Sequence, residues 1–176
     1  MNMIRIGNKL IDIARTKREI EQILNLRSRG LSQKEVAQQF ELDRTFISRL
    51  ENLGEIRKGK KIALIAFPIK NKQELISLAQ DQGLEYVLVM NEEERWDFVE
   101  KKSGVELFNE VMDIIAKLST FDIVIFAGSD MRIPLVERII DTQVISICLG
   151  NSPIREDKLL PRTRLKEIIS TVRNKP

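Results

Sequence analysis

Histidine is absent from the 176-residue chain, and cysteine occurs once, as Cys148. The first absence removes the commonest general base, the usual partner of a serine or cysteine nucleophile and the commonest transition-metal ligand. The second excludes an intrachain disulfide and any cysteine-rich metal centre. No apolar run reaches the roughly 18 to 20 residues of a membrane-spanning helix. Met1-Asn2-Met3-Ile4-Arg5 lacks the apolar core of a signal peptide, so a cytoplasmic protein with no membrane partner is expected. Neither GxGxxG nor a GK[ST] phosphate loop is present, and nothing calls for a cofactor or a metal. Catalysis is not expected from such an inventory.

What is present is a globular composition, 43% hydrophobic and 31% charged, with an uneven distribution of charge. Residues 1–61 hold 14 basic and 8 acidic side chains, whereas residues 62–176 hold 15 and 18. A basic first third ahead of a mildly acidic remainder points to a polyanion met by the N-terminal part.

The first third has helical periodicity. Leu10, Ile11, Ile13, Ala14, Ile20, Ile23, Leu24 and Leu26 recur at three- and four-residue spacings, and Gly30 stops the pattern. Ser32 stands three residues before Glu35, the capping-box spacing, ahead of Val36, Ala37 and Phe40. Asp43 is placed to cap the next helix, whose Phe46 or Ile47, Leu50 and Leu53 are expected to point inward until Gly54. From Lys61 onward, apolar runs of strand length alternate with helical patterns. The runs are Lys61 to Phe67, Tyr86 to Met90, Phe121 to Gly128 and Gln143 to Gly150. Helices are expected over Asn71 to Gln82, from Asn91, after Gly104, near Pro134 and from Arg162 to Arg173. Strands that are apolar on consecutive residues are buried on both faces, so four of them separated by helices predict a four-stranded parallel sheet with helices on either side, Rossmann-like or flavodoxin-like. The expected division is a helical domain over 1–54, a linker over 55–60 and an α/β domain over 61–176.

The stretch LSQKEVAQQFELDRTFISRLEN, Leu31 to Asn52, resembles the helix-turn-helix of the lambda-repressor-like (Cro/CI, XRE) DNA-binding family. The coincidence rests on Leu31, the Ser32-Gln33 start, Ala37 at the helix crossing, Leu42 in the turn, and Ile47 and Leu50. A small side chain at Ala37 lets two helix axes approach at a steep angle. The resemblance implies that the second helix of the motif enters the major groove of double-stranded DNA, presenting Arg44, Thr45, Ser48 and Arg49 to base edges. It also sets Gln33 against a phosphate, with Lys34, Arg57, Lys58, Lys60 and Lys61 as further backbone contacts. The chain departs from the family at two positions. Glu41 stands where glycine is usual, which predicts a differently shaped turn. Phe46 replaces a small or polar residue and is expected to pack inward or meet a thymine methyl. Residues 53–64 also fit a winged arrangement, although Ile62 to Phe67 serves better as the first strand of the second domain.

In open parallel sheets, ligands bind beyond the C-terminal strand ends. The loops there are Phe67-Pro68-Ile69-Lys70, Gly128-Ser129-Asp130 and Gly150-Asn151-Ser152-Pro153. Backbone N–H groups around Gly128 and Gly150 can cradle an anion, with Ser129, Asp130, Asn151 and Ser152 holding polar groups; such loops also need these residues as turn and capping positions. Glu92, Glu93 and Glu94 suit a helix start. Cys148, mid-strand, is expected to be buried and inert, and Trp96, Phe98 and Val99 are expected to be core or a dimer contact. Together these readings predict a dimeric, sequence-specific transcriptional regulator whose α/β domain dimerises or senses a small-molecule effector. The alternative is an adaptor whose helical domain binds a protein.

Overall fold

The computed structural model describes residues 3–55, 59 and 61–173. It divides into two compact units, Met1–Glu55 and Ile56–Pro176.

The N-terminal unit opens with an antiparallel hairpin, β1 (Met3–Ile6) and β2 (Lys9–Asp12), followed by α1 (Ile13–Ser28), α2 (Gln33–Gln39) and α3 (Arg44–Gly54). The hairpin corrects the helical reading of Leu10 and Ile11. Those two residues pair with Arg5 and Ile4 across the strands, and the two-residue turn Gly7-Asn8 takes the positive φ it needs at Gly7. Helix α1 starts only after Asp12, whose Oδ1 accepts hydrogen bonds from Ala14 N at 2.9 Å and Arg15 N at 3.1 Å. The capping box at Ser32 and Glu35 forms as expected. Asp43 occupies the cap position of α3, but its side chain makes no capping hydrogen bond. The core is small: Ile23, Val36, Ala37 and Ile47 are buried, flanked by Leu26, Leu31, Phe40 and Leu50. Phe46 and Leu53 are not part of it. Leu53 is 86% exposed and Phe46 44%, so neither points inward; Ile47 and Leu50 already fill the face that α3 turns to its neighbours. The turn between α2 and α3 also differs from expectation. Glu41 adopts φ +53°, the left-handed conformation that favours glycine, at a steric cost of about 1 kcal/mol. Leu42 N closes that turn on Ala37 O at 2.9 Å.

The C-terminal unit is α/β, with β3 (Ile62–Ala66), α4 (Lys72–Asp81), β4 (Tyr86–Val89), α5 (Glu92–Glu100), α6 (Gly104–Leu118), β5 (Ile123–Ser129), α7 (Ile133–Ile139), β6 (Gln143–Gly150) and α8 (Arg162–Arg173). The four strands form a parallel sheet in the order β4-β3-β5-β6. Every residue of the central strands β3 and β5 is buried, which is why both read as unbroken apolar runs. Alternate side chains go to opposite faces. Ile62, Leu64 and Ala66 join Ile123, Ile125 and Ala127 beneath Leu75, Leu78, Leu165 and Ile169 of α4 and α8. On the other face Ala63, Ile65, Val124 and Phe126 meet Leu118 and Ile140. The first face is sealed by two helices. The second is covered less completely, because α6 buries only Leu118 of its 15 residues.

Cys148 is exposed, contrary to expectation, because β6 is an edge strand with no further neighbour on that side among the described residues. Trp96 and Val99 are likewise exposed rather than core. The expected linker lies largely outside the described residues, as do Arg57, Lys58 and Lys60; Ile62 to Leu64, the returning strand of the alternative wing, belong instead to β3 of the parallel sheet. Among the described residues, no helix is long and apolar enough to cross a membrane.

Candidate functional site

In the N-terminal unit the geometry is set by an inner polar clamp. Arg27, near the end of α1, forms an ion pair with Glu51 of α3 and donates to Leu31 O in the loop before α2. Gln33 Nε2, at the start of α2, donates to the other Glu51 oxygen at 2.7 Å. Three helices are thereby tied through one carboxylate, which is less than one-third exposed. The hydrogen bonds from Arg27 and then Gln33 hold the Glu51 carboxyl below the usual carboxylate range. Neither Arg27 nor Glu51 stands out in the sequence, because they lie 24 residues apart and only the fold brings them together.

Outside the clamp, Arg44, Thr45 and Arg49 are exposed and Ser48 is half-buried on α3, and Lys34 is exposed on α2. At 100° per residue, positions 44, 45, 48 and 49 share an arc of about 140° that excludes Ile47 and Leu50. One face of α3 therefore carries two guanidinium and two hydroxyl groups while the other is packed. Gln33 is turned to its own chain, since besides Glu51 it accepts a long 3.4 Å hydrogen bond from Arg44 Nε.

The clamp predicts a pH response. Because the Glu51 pKa is lowered on folding, the stabilisation is fully present above its usual 4.5 and is lost as pH falls through the lower, folded value. Glu51→Gln is expected to cost about 1 kcal/mol at pH 7, and the gap from the native chain should close in acid. Hydrogen exchange at the Ile47 amide across this range measures it; a gap that does not narrow at all as pH falls below 4.5 would show that the charge of Glu51 is not what matters.

In the C-terminal unit the loops at the strand ends do come together. Asp130 N donates to Gly150 O at 3.1 Å, and Asp130 Oδ1 accepts from Met131 N at 2.8 Å and from Ser152 N at 2.7 Å. The N–H groups of Met131 and Ser152 thus already face an anion, the protein's own carboxylate. Gly128 is packed under Phe126, whose ring lies 2.8 Å from where a Cβ would be, and Gly150 takes φ +149°. Asn151 is exposed. The Ser129 hydroxyl is wholly buried with no hydrogen-bond partner among the described residues. The neighbouring segment also closes the end of β3, with Lys70 N donating to Lys158 O and Lys158 N to Pro68 O.

The concave feature lies instead over the less covered face of the sheet, a cavity of about 530 Å³. Its floor is Ile65, Leu88 and Phe126, and its walls include Trp96, Val111 and Val136 from α5, α6 and α7. Two cations, Arg95 and Arg132, also line it. Arg95 grips Glu92 with two hydrogen bonds, Nε at 2.9 Å and Nη2 at 2.6 Å, and Trp96 Nε1 donates to the same carboxylate at 3.1 Å. Arg132 lies over the Phe67 ring, 5.6 Å from its centroid, and makes no ion pair among the described residues. Burial, and after it the positive charge of Arg95, pulls the Arg132 pKa below its ordinary value, with the carboxylate of Glu92 opposing them. No single stretch of the chain marks the cavity, because its lining comes from three strands and three helices.

No family model, curated protein or solved structure matches the chain.

Proposed function

We propose that the protein is a cytoplasmic, sequence-specific DNA-binding transcriptional regulator. In this reading α2 and α3 form a helix-turn-helix of the lambda-repressor-like kind, and the Rossmann-like C-terminal unit dimerises or senses a small effector. The observation that carries the proposal is the two-sided character of α3, with Ile47 fully buried while Arg44, Thr45 and Arg49 face outward. A helix in the major groove needs this division, since outward Arg can bind guanine O6 and N7 together and hydroxyls can reach base edges or phosphates. The Arg27–Glu51–Gln33 clamp supports it by fixing α3 through Glu51 rather than through those outward groups, Arg44 adding only a long 3.4 Å hydrogen bond to Gln33.

A single recognition helix reads too few base pairs for genomic specificity, so two copies are proposed to act together. A surface suited to pairing is the outer side of α6. Val105, Phe108 and Met112, spaced by three and four residues, are exposed there, Phe108 by 64%. Selection of duplexes from a random DNA library at about 0.15 M salt tests both parts of the reading, because weak phosphate attraction is partly screened there. Enrichment of one near-palindromic sequence is the expected result. An enriched site without symmetry would remove the dimer, and no enrichment together with no low-salt binding would remove the DNA reading. In that event exposed Phe46 and Leu53 favour the second reading, an adaptor whose helical unit docks on a protein.

A further inference from the structure

We propose that the cavity over the second face of the sheet binds an apolar monoanion, an aliphatic carboxylate whose head meets Arg132 and whose tail lies on Phe126, Leu88 and Val111. This deepens the effector-sensing role proposed above and rests on it, while the binding itself can be measured without DNA.

Three observations carry the assignment. The first is size and lining: about 530 Å³, within the roughly 300 to 1,000 Å³ range of small-molecule sites, walled almost wholly by hydrocarbon and aromatic side chains. The second is a charge count. Two guanidinium groups, Arg95 and Arg132, are set against one carboxylate, Glu92, which is hydrogen-bonded to Arg95 and acts on Arg132 only through space, with no ion pair to Arg132 among the described residues. One positive charge is left over, which fits a single negative head better than a neutral molecule or a dianion. The third is position. Arg132 sits on the Phe67 ring rather than extending into solvent, so its guanidinium is held beside the apolar surface where an amphipathic anion would place its head. A helix from a second copy fits less well, since an apolar helix would leave the Arg132 charge covered and uncompensated, a costly arrangement. The apolar stripe of α6 that suits pairing, Val105, Phe108 and Met112, is also not among the residues lining the cavity.

The test uses a built-in reporter. Trp96 is the chain's only tryptophan, it lines the cavity, and it is 50% exposed, so its emission should shift to the blue when a ligand covers it. The full chain is titrated with sodium decanoate below its micellar concentration, and separately with decan-1-ol and decyltrimethylammonium. A saturable blue shift with decanoate is expected, with the alcohol weaker by about tenfold or more, as a lost charge-assisted hydrogen bond implies, and the ammonium without effect. Arg132→Gln should weaken decanoate by a similar factor while leaving decanol unchanged, which also shows that the variant is folded; Arg132→Lys should restore part of the difference. No saturable response to any probe would overturn the site. Equal affinity for acid and alcohol in the unaltered protein would overturn the headgroup assignment, as would insensitivity to Arg132→Gln. A shift that follows protein concentration instead of ligand would make a second copy the occupant. Because no DNA is present, failure of the library selection leaves these outcomes intact, and their failure leaves the DNA reading intact.

Discussion

Replacing Arg44 and Arg49 together by alanine is expected to lower affinity for the selected operator by roughly 30-fold or more while the chain stays folded. Each side chain, if bidentate to a guanine, contributes about 1 to 3 kcal/mol of specific binding, and 1.4 kcal/mol is a factor of ten. Both residues are exposed, and among the described residues the 3.4 Å hydrogen bond from Arg44 to Gln33 is too long to matter much for stability. The two positions should also separate in kind. An arginine that reads a base relaxes preference at one base pair, whereas an arginine on phosphate weakens all sequences alike and lowers the salt slope by about one. Competition binding with operators altered one base pair at a time makes the distinction. If the double variant kept both affinity and site preference, α3 would not be the reading element.

The other large effect is expected from a buried residue. Ile47→Ala should destabilise the N-terminal unit by about 2 to 5 kcal/mol, through lost burial and the cavity it leaves. A unit of this size has roughly 3 to 8 kcal/mol of stability in all. A large fraction of the unit would then be unfolded at 37 °C, and DNA binding would fall with it. Among the described residues, the core around Ile47 has Val36, Ala37 and Ile23 as its buried partners, so little material is available to collapse into the gap. The C-terminal unit, a separate compact body, should unfold as before, and Trp96 emission reports on it alone because the N-terminal unit has no tryptophan. Hydrogen exchange at α2 and α3 amides, set beside Trp96 emission during denaturant unfolding, reads the two separately. An equal loss in both would show that the units are energetically one.

Some of this was written locally. The Ser32 and Glu35 capping box, the two helices around Leu42 and the four strands could be read because each depends on residues within one turn or on a run of consecutive apolar side chains. Only the central β3 and β5 bury that run completely, while the edge strands β4 and β6 stay largely half-buried. The hairpin at Gly7-Asn8 was also locally written, in the alternation of Met3 to Ile6 and Lys9 to Asp12. It was obscured because Leu10 and Ile11 continue into a helical spacing that starts only at Ile13.

Misjudged positions share a different cause. Cys148 looks buried by its neighbours Ile147 and Leu149, but burial on an edge strand depends on what lies beside the sheet. Leu53 continues the apolar pattern of α3, yet at the end of the helix there is nothing for it to pack on among the described residues of its unit.

By itself, then, the sequence determined the α2–α3 pair, the order of strands and helices after Lys61 and the parallel sheet, though not the N-terminal hairpin as read, since hydrophobic periodicity and capping act over a few residues. Only the tertiary structure decided which groups meet across the chain: the Glu51 clamp, Asp130 filling its own loop, and Arg95 and Arg132 beside an apolar cavity. Coulomb forces, hydrogen bonds and cavity walls depend on distance in space, and the linear order of residues does not carry those distances.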